Sequence, residues 1–187
     1  MGLFIRSLAK VPDTRRSYYV YLLDYGWHEP LGQALYDNFQ KMAAIASDHD
    51  AVVVRSAEDS VHFSSDVFSW HSINGVNAET ALPAIMITDR HPHDFRANRF
   101  TEEGDAGDYK ILLFPLKKYC KTTADVVAYV EKIFSDIAEK RNLADFRIVK
   151  EMKKGLGSAL VDGIVLEPNI GGWGINLKPI VDYFRSK

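Results

Sequence analysis

Pro83 constrains this chain more than any other residue. It lies in Ala81-Leu82-Pro83-Ala84-Ile85-Met86-Ile87-Thr88-Asp89, an apolar run rich in β-branched residues and closed by the polar Arg90-His91-Pro92-His93. Proline cannot donate to a sheet ladder, so Pro83 must open the strand that follows and cannot sit inside it. Apolar residues on both parities, Ala84 to Ile87, predict a strand covered on both faces. Such a strand belongs in the middle of a small α/β domain.

The rest of the chain supplies partners for it. Tyr18-Tyr19-Val20-Tyr21-Leu22-Leu23-Asp24 reads as a first strand. Residues 1–16 before it read as a leader ending in a polar turn. Gly26-Trp27-His28-Glu29-Pro30 breaks the strand, and Pro30 suits the first turn of a helix. Apolar residues from Leu31 through Leu35, Phe39 and Met42 to Ala46 then recur at three- and four-residue spacing, which predicts one amphipathic helix up to Asp48-His49-Asp50. Ala51–Arg55 is a second strand, and strand–helix–strand favours a parallel pairing. Ser64-Ser65-Asp66 offers a cap for a helix carrying Val67, Phe68, Trp70 and Ile73, with Asn74-Gly75 as its stop.

After the Pro83 strand, residues 89–108 form the most polar stretch and read as a long loop, a candidate lid. Tyr109–Leu116 is a further strand, and Pro115 favours an edge position for it. Thr122-Thr123-Ala124-Asp125 caps a strongly periodic helix running to about Lys140. Phe146–Val149 fits a strand or a helix start equally well. Gly163–Pro168 is a short strand, and Leu177–Phe184 a terminal helix. The organisation expected is a leader (1–16), an α/β domain (17–141) and a C-terminal extension (142–187) packed on the domain or on a partner.

This element order over 18–140, with Pro83 after a helix and a glycine-containing loop, resembles the thioredoxin-like fold. The resemblance implies a central mixed sheet flanked by helices, and a cis peptide at Leu82–Pro83. It also implies a reactive cysteine at the start of the first helix, where this chain has Trp27-His28-Glu29-Pro30-Leu31. Thiol–disulfide exchange needs a thiolate as attacking group, so dithiol oxidoreductase chemistry is excluded at that place. A binding or scaffold role is what the resemblance then implies. The competing fold is a flavodoxin-like or TIR-like parallel sheet, in which residues 24–29 would form a ligand loop at the carboxyl end of the first strand. A nucleotide hydrolase of that kind needs an acidic residue by its pocket, for which Glu29 and Glu79 qualify by type.

Composition narrows the partners. A chain of 187 residues with 47% hydrophobic, 12% aromatic and 26% charged residues can bury one ordinary core, which excludes disordered and collagen-like classes. The net charge of −2 gives no general attraction for nucleic acid or anionic lipid. A single cysteine leaves no internal disulfide framework and fits a reducing compartment. There is no apolar run of membrane-spanning length, no signal-peptide core, and no myristoylation pattern after Gly2. A cytoplasmic protein with no membrane partner and no cofactor is expected.

Chemistry is sparse. Cys120 lies among Lys117, Lys118 and Lys121 just before a helix start, where positive charge and amides favour a thiolate; it is equally a small residue at a strand–helix junction. His91, His93 and Asp94 offer two imidazoles and a carboxylate suited to Zn²⁺, if His28, His62 or His71 supplies a further ligand; otherwise they belong to a solvated loop. Asp24, Trp27, His28 and Glu29 cluster after the first strand, able to run acid–base chemistry in a pocket or simply to start a helix. The glycines around Gly155-Leu156-Gly157 and Gly171-Gly172-Trp173-Gly174 match no phosphate loop. Trp173 instead reads as a packed or partner-facing aromatic, and Pro83 with Trp173 are the binding candidates. Arg147, Lys150, Lys153 and Lys154 form a local basic patch on a solvated face. The expectation is a redox-inactive, self-associating or accessory protein-binding subunit of a cytoplasmic bacterial system. The alternative is a small-molecule or nucleotide-acting enzyme using residues 24–29.

Overall fold

The computed structural model describes residues 1–24, 29–57, 61–71, 73–74, 81–97, 110–156, 165–166 and 175–176. Its strands are β1 (Gly2–Ile5), β2 (Tyr18–Leu23), β3 (Ala51–Ser56), β4 (Ile73–Asn74), β5 (Ala84–Thr88), β6 (Ile111–Pro115), β7 (Val165–Leu166) and β8 (Ile175–Asn176). Its helices are α1 (Pro30–Asp37), α2 (Phe39–Asp48), α3 (Val61–Trp70), α4 (Pro92–Ala97), α5 (Leu116–Tyr119), α6 (Thr123–Ala138) and α7 (Arg147–Leu156).

Six strands form one mixed sheet in the order β1-β3-β2-β5-β6-β7, while β4 pairs with β8 apart from it. β3 runs parallel to both β1 and β2. β5 runs antiparallel to β2 and to β6, so the Pro83-led strand is central, as its sequence predicts. This rules out the flavodoxin-like or TIR-like alternative, because those sheets are parallel throughout and two of the central pairings here are antiparallel. The Leu82–Pro83 peptide is cis.

Side chains alternate across the sheet and give it two cores. On one face Tyr18, Val20 and Leu22 of β2, with Ile85, Ile87, Leu112 and Phe114, pack under α1, α2, α6 and α7. On the other, Tyr19, Tyr21, Leu23, Met86 and Leu113 pack under α3 and α4. All five residues of β5 are buried, which is the reason for its unbroken apolar sequence.

Several expectations need correction. Residues 1–16 are not a leader: Gly2–Ile5 pairs in register with Val53–Ser56, and Leu8 and Val11 are buried. Gly2 is required there, since a Cβ would lie 2.6 Å from Ala43 Cβ. The long helix after Pro30 is two helices, broken at Asn38, whose side-chain amide donates to the Ala34 carbonyl at 2.8 Å. Ser64-Ser65-Asp66 lies inside α3 and does not cap it, and Ile73–Asn74 belongs to a strand, not to that helix. The stretch 89–108 opens with α4 and is therefore not all loop; residues 98–108 lie outside the described residues. The open choice at Phe146–Val149 resolves as the start of α7, with Phe146, Ile148 and Val149 in the same core as α6. The predicted helix over Leu177–Phe184 lies outside the described residues.

Candidate functional site

Two places gather polar chemistry, one near each end of β2. The first is the carboxyl end, where α1 begins. Asp24 follows the strand and is buried, and its carboxylate pairs with Arg55 at 3.3 Å while its carbonyl accepts the Ser64 hydroxyl at 3.3 Å. The Arg55 guanidinium also lies over the Tyr36 ring, 4.0 Å from its centroid. Glu29 precedes α1 in an extended conformation and makes no capping bond; its carboxylate turns to Lys117 at 3.2 Å. Gly32, in the first turn of α1, faces Asp24 and Pro83: a Cβ there would stand 3.6 Å and 4.0 Å from their Cβ atoms. Pro83 is itself buried, and its carbonyl accepts the Leu116 amide at 2.8 Å, tying β5 to the start of α5. The corner is thus a packed junction braced by ion pairs. Trp27, His28 and Glu79 lie outside the described residues, so the acid–base reading of 24–29 retains only Asp24 and Glu29, both engaged in ion pairs.

Cys120 does not behave as its lysine neighbours suggest. It is 3% exposed at the end of α5, and burial, with Asp125 adding to it, pushes its thiol up to about 11. A lysine-stabilised thiolate is therefore corrected to a protonated, buried thiol, because desolvation penalises the charged form more than nearby cations favour it. Lys117 is spent on Glu29, and the Lys118 ammonium lies 5.6 Å from the Tyr119 ring centroid.

The second place lies beyond the amino end of β2, where the turn before β2 meets α4. His91 is 1% exposed, and its Nε2 lies 3.0 Å from the Pro12 carbonyl, which fixes a proton on Nε2. Its Nδ1 accepts the His93 amide at 3.2 Å, at the first turn of α4. The two imidazoles stand nearly perpendicular with centroids 4.7 Å apart, and His91 also packs edge-on to Tyr19. His93 Nε2 is buried and has no hydrogen-bond partner among the described residues. Asp13, next to Pro12, completes a group in which His91, His93 and Asp13 each offer a donor atom within 4.8 Å of the other two. Asp94, the carboxylate the spacing suggested, is engaged elsewhere, in an ion pair with Arg15. Of the proposed further ligands, His71 is buried against Phe95 and Tyr21, His62 is exposed on α3, and His28 lies outside the described residues.

The remaining candidates resolve into structure or fall outside it. Arg147 is consumed by Asp136 and Glu139, and Lys150 lies 3.8 Å from Asp145, so the basic patch is at least partly neutralised. Trp173 lies outside the described residues. A cleft of about 280 Å³ between α2 and α6, lined by Met42, Ile45, Val130 and Phe134, is apolar and gathers no catalytic set. No described helix is long and apolar enough to cross a membrane. No family model matches the chain, and no curated protein or solved structure matches it either.

Proposed function

We propose that this chain is a thioredoxin-like domain without thiol chemistry, working as a protein-binding accessory subunit in a cytoplasmic system. The observation that carries the reading is the mixed sheet β1-β3-β2-β5-β6, in which the proline-led strand is central and Pro83 lies against the first turn of the helix that follows β2. The two features of that fold that bear on chemistry are thereby separable. The central proline-led strand supports the scaffold half of the reading, while the chain's single cysteine is on another element, buried and held protonated.

Binding falls naturally to the rim of that corner, where the half-exposed Tyr36 and the Glu29–Lys117 pair reach the surface. A charged pair at a rim tunes orientation and association rate, whereas an aromatic supplies area. The mixed sheet removes the fold argument for a nucleotide hydrolase, and nothing among the described residues favours that alternative.

The test is partner capture with the tagged full chain, followed by affinity measurement on the purified pair. The partner is expected to bind Cys120→Ser as well as the wild type, and to bind Tyr36→Ala at least tenfold more weakly. Loss of binding in a folded Cys120→Ser chain would overturn the cysteine-free reading. Unchanged affinity for Tyr36→Ala together with Glu29→Arg would overturn the placement at this corner.

A further inference from the structure

We propose that Asp13, His91 and His93 form a binding site for a single borderline divalent cation, with Zn²⁺ as its natural test ion. Two imidazoles and one carboxylate are ligands of the hardness that zinc and its first-row neighbours accept, with a fourth position left to water or another ligand.

His91 is already oriented as a ligand would be. Metal-binding histidines commonly donate their other ring N–H to a carbonyl, which fixes tautomer and orientation. The Pro12 carbonyl does this for His91 Nε2 and leaves Nδ1 as the lone-pair nitrogen. The peptide that orients His91 is followed directly by Asp13, so one turn delivers both the orienting group and the carboxylate. The competing use of Nδ1 is the His93 amide at 3.2 Å, at the long end of the hydrogen-bond range, which a cation would replace.

His93 stands next to His91 with a ring nitrogen to satisfy. Its Nε2 is buried without a partner among the described residues, an arrangement costly for a polar atom unless something satisfies it. The three donor atoms lie within 4.8 Å of one another, against an edge of roughly 3.3 Å for a tetrahedral zinc site with bonds of about 2.0 Å. Asp13 is exposed on a turn outside any helix or strand, so its carboxylate can adjust to a cation held by the two imidazoles. Arg15, the cation nearest in sequence, is held by Asp94, which limits its competition for Asp13. Bound metal would clamp the turn before β2 to α4, adding to the His91 hydrogen bond and the Arg15–Asp94 pair that already join them.

The full chain without a histidine tag, titrated with Zn²⁺ by calorimetry and with Co²⁺ by visible absorption, tests this. One saturable equivalent per chain is expected, with Co²⁺ bands of a low-coordinate N/O site. Asp13→Asn and His93→Gln should each weaken binding at least tenfold, in line with losses seen when metal sites are trimmed, while Asp94→Asn, which removes no ligand and only releases Arg15, weakens it by less than either. Asp13 is exposed, so its variant tests the site without threatening the fold. The proposal is overturned by the absence of saturable binding, by equal binding to wild type and Asp13→Asn, or by a loss in Asp94→Asn that Asp13→Asn does not share.

Discussion

Buried between Tyr21 and Phe95, His71 donates its Nδ1–H to the Val67 carbonyl at 2.7 Å, and the loss of water around the ring lowers its pKa to about 4. The unfolded chain titrates this residue near 6.5. Below that value the unfolded state takes up a proton that the folded state refuses. Stability is therefore full above about pH 6.5 and declines as pH falls towards 4, by up to about 3 kcal/mol from this one group. Urea denaturation at pH 7.5, 5.5 and 4.5 measures it, and His71→Leu should flatten the decline. A variant that loses stability with acid as steeply as the wild type would show that other groups carry the effect. His71 also shows what is legible at this scale. It sits four residues after Val67, just past the end of α3 and in line with its apolar stripe, a position that marks a core histidine, yet its residue type alone also admitted it as a ligand. His91 and His93 were legible as a pair from their spacing. Asp13 was not, because nothing local links a polar turn before the first strand to a loop after the middle one; only the fold brings them together.

Among the elements, the junction of α6 and α7 is organised around one buried carboxylate. Asp136 is 0% exposed, accepts the Arg147 amide at 2.6 Å, and lies 3.2 Å and 3.1 Å from the Nε atoms of Arg141 and Arg147. It thus serves α7 as a cap from another helix, satisfying an amide at a terminus that has no internal acceptor and setting negative charge at the positive end of the dipole. Asp136→Ala should destabilise the chain by roughly 2 kcal/mol, less than a fully buried pair because both arginines are about a third exposed. A double-mutant cycle with Arg147→Ala should return a coupling above about 0.5 kcal/mol; strict additivity would show that the two side chains act independently. α6 itself was readable in advance, since Thr122 and Asp125 form the reciprocal capping box that their spacing predicts. β1 was not. Four residues carry too little periodicity to identify a strand, and Gly2-Leu3-Phe4-Ile5 becomes one because β3 offers an edge and the glycine admits the close approach of α2.

For the molecule as a whole, the sequence conveyed alternation of strands and helices but not strand direction. Parallel and antiparallel pairings of β5 use the same apolar residues, and only the placement of Pro83 hinted at which fold would hold it. The two candidate sites stand at opposite ends of a six-residue strand, on the order of 20 Å apart. The covering of the central strands on both faces also sets a clock. Amides of β2 and β5 are shielded by neighbours on each side and by a helical layer above and below, so deuterium can reach them only when the whole domain opens. In a native-state exchange experiment, peptides spanning 18–23 and 84–88 should retain protium longest, on a timescale set by global stability. Residues 2–5, bonded on one side to β3 and bearing the half-exposed Phe4, should exchange earlier. Equal rates in these segments would mean that the edge and the centre of the sheet open together, and that the domain keeps time as one unit.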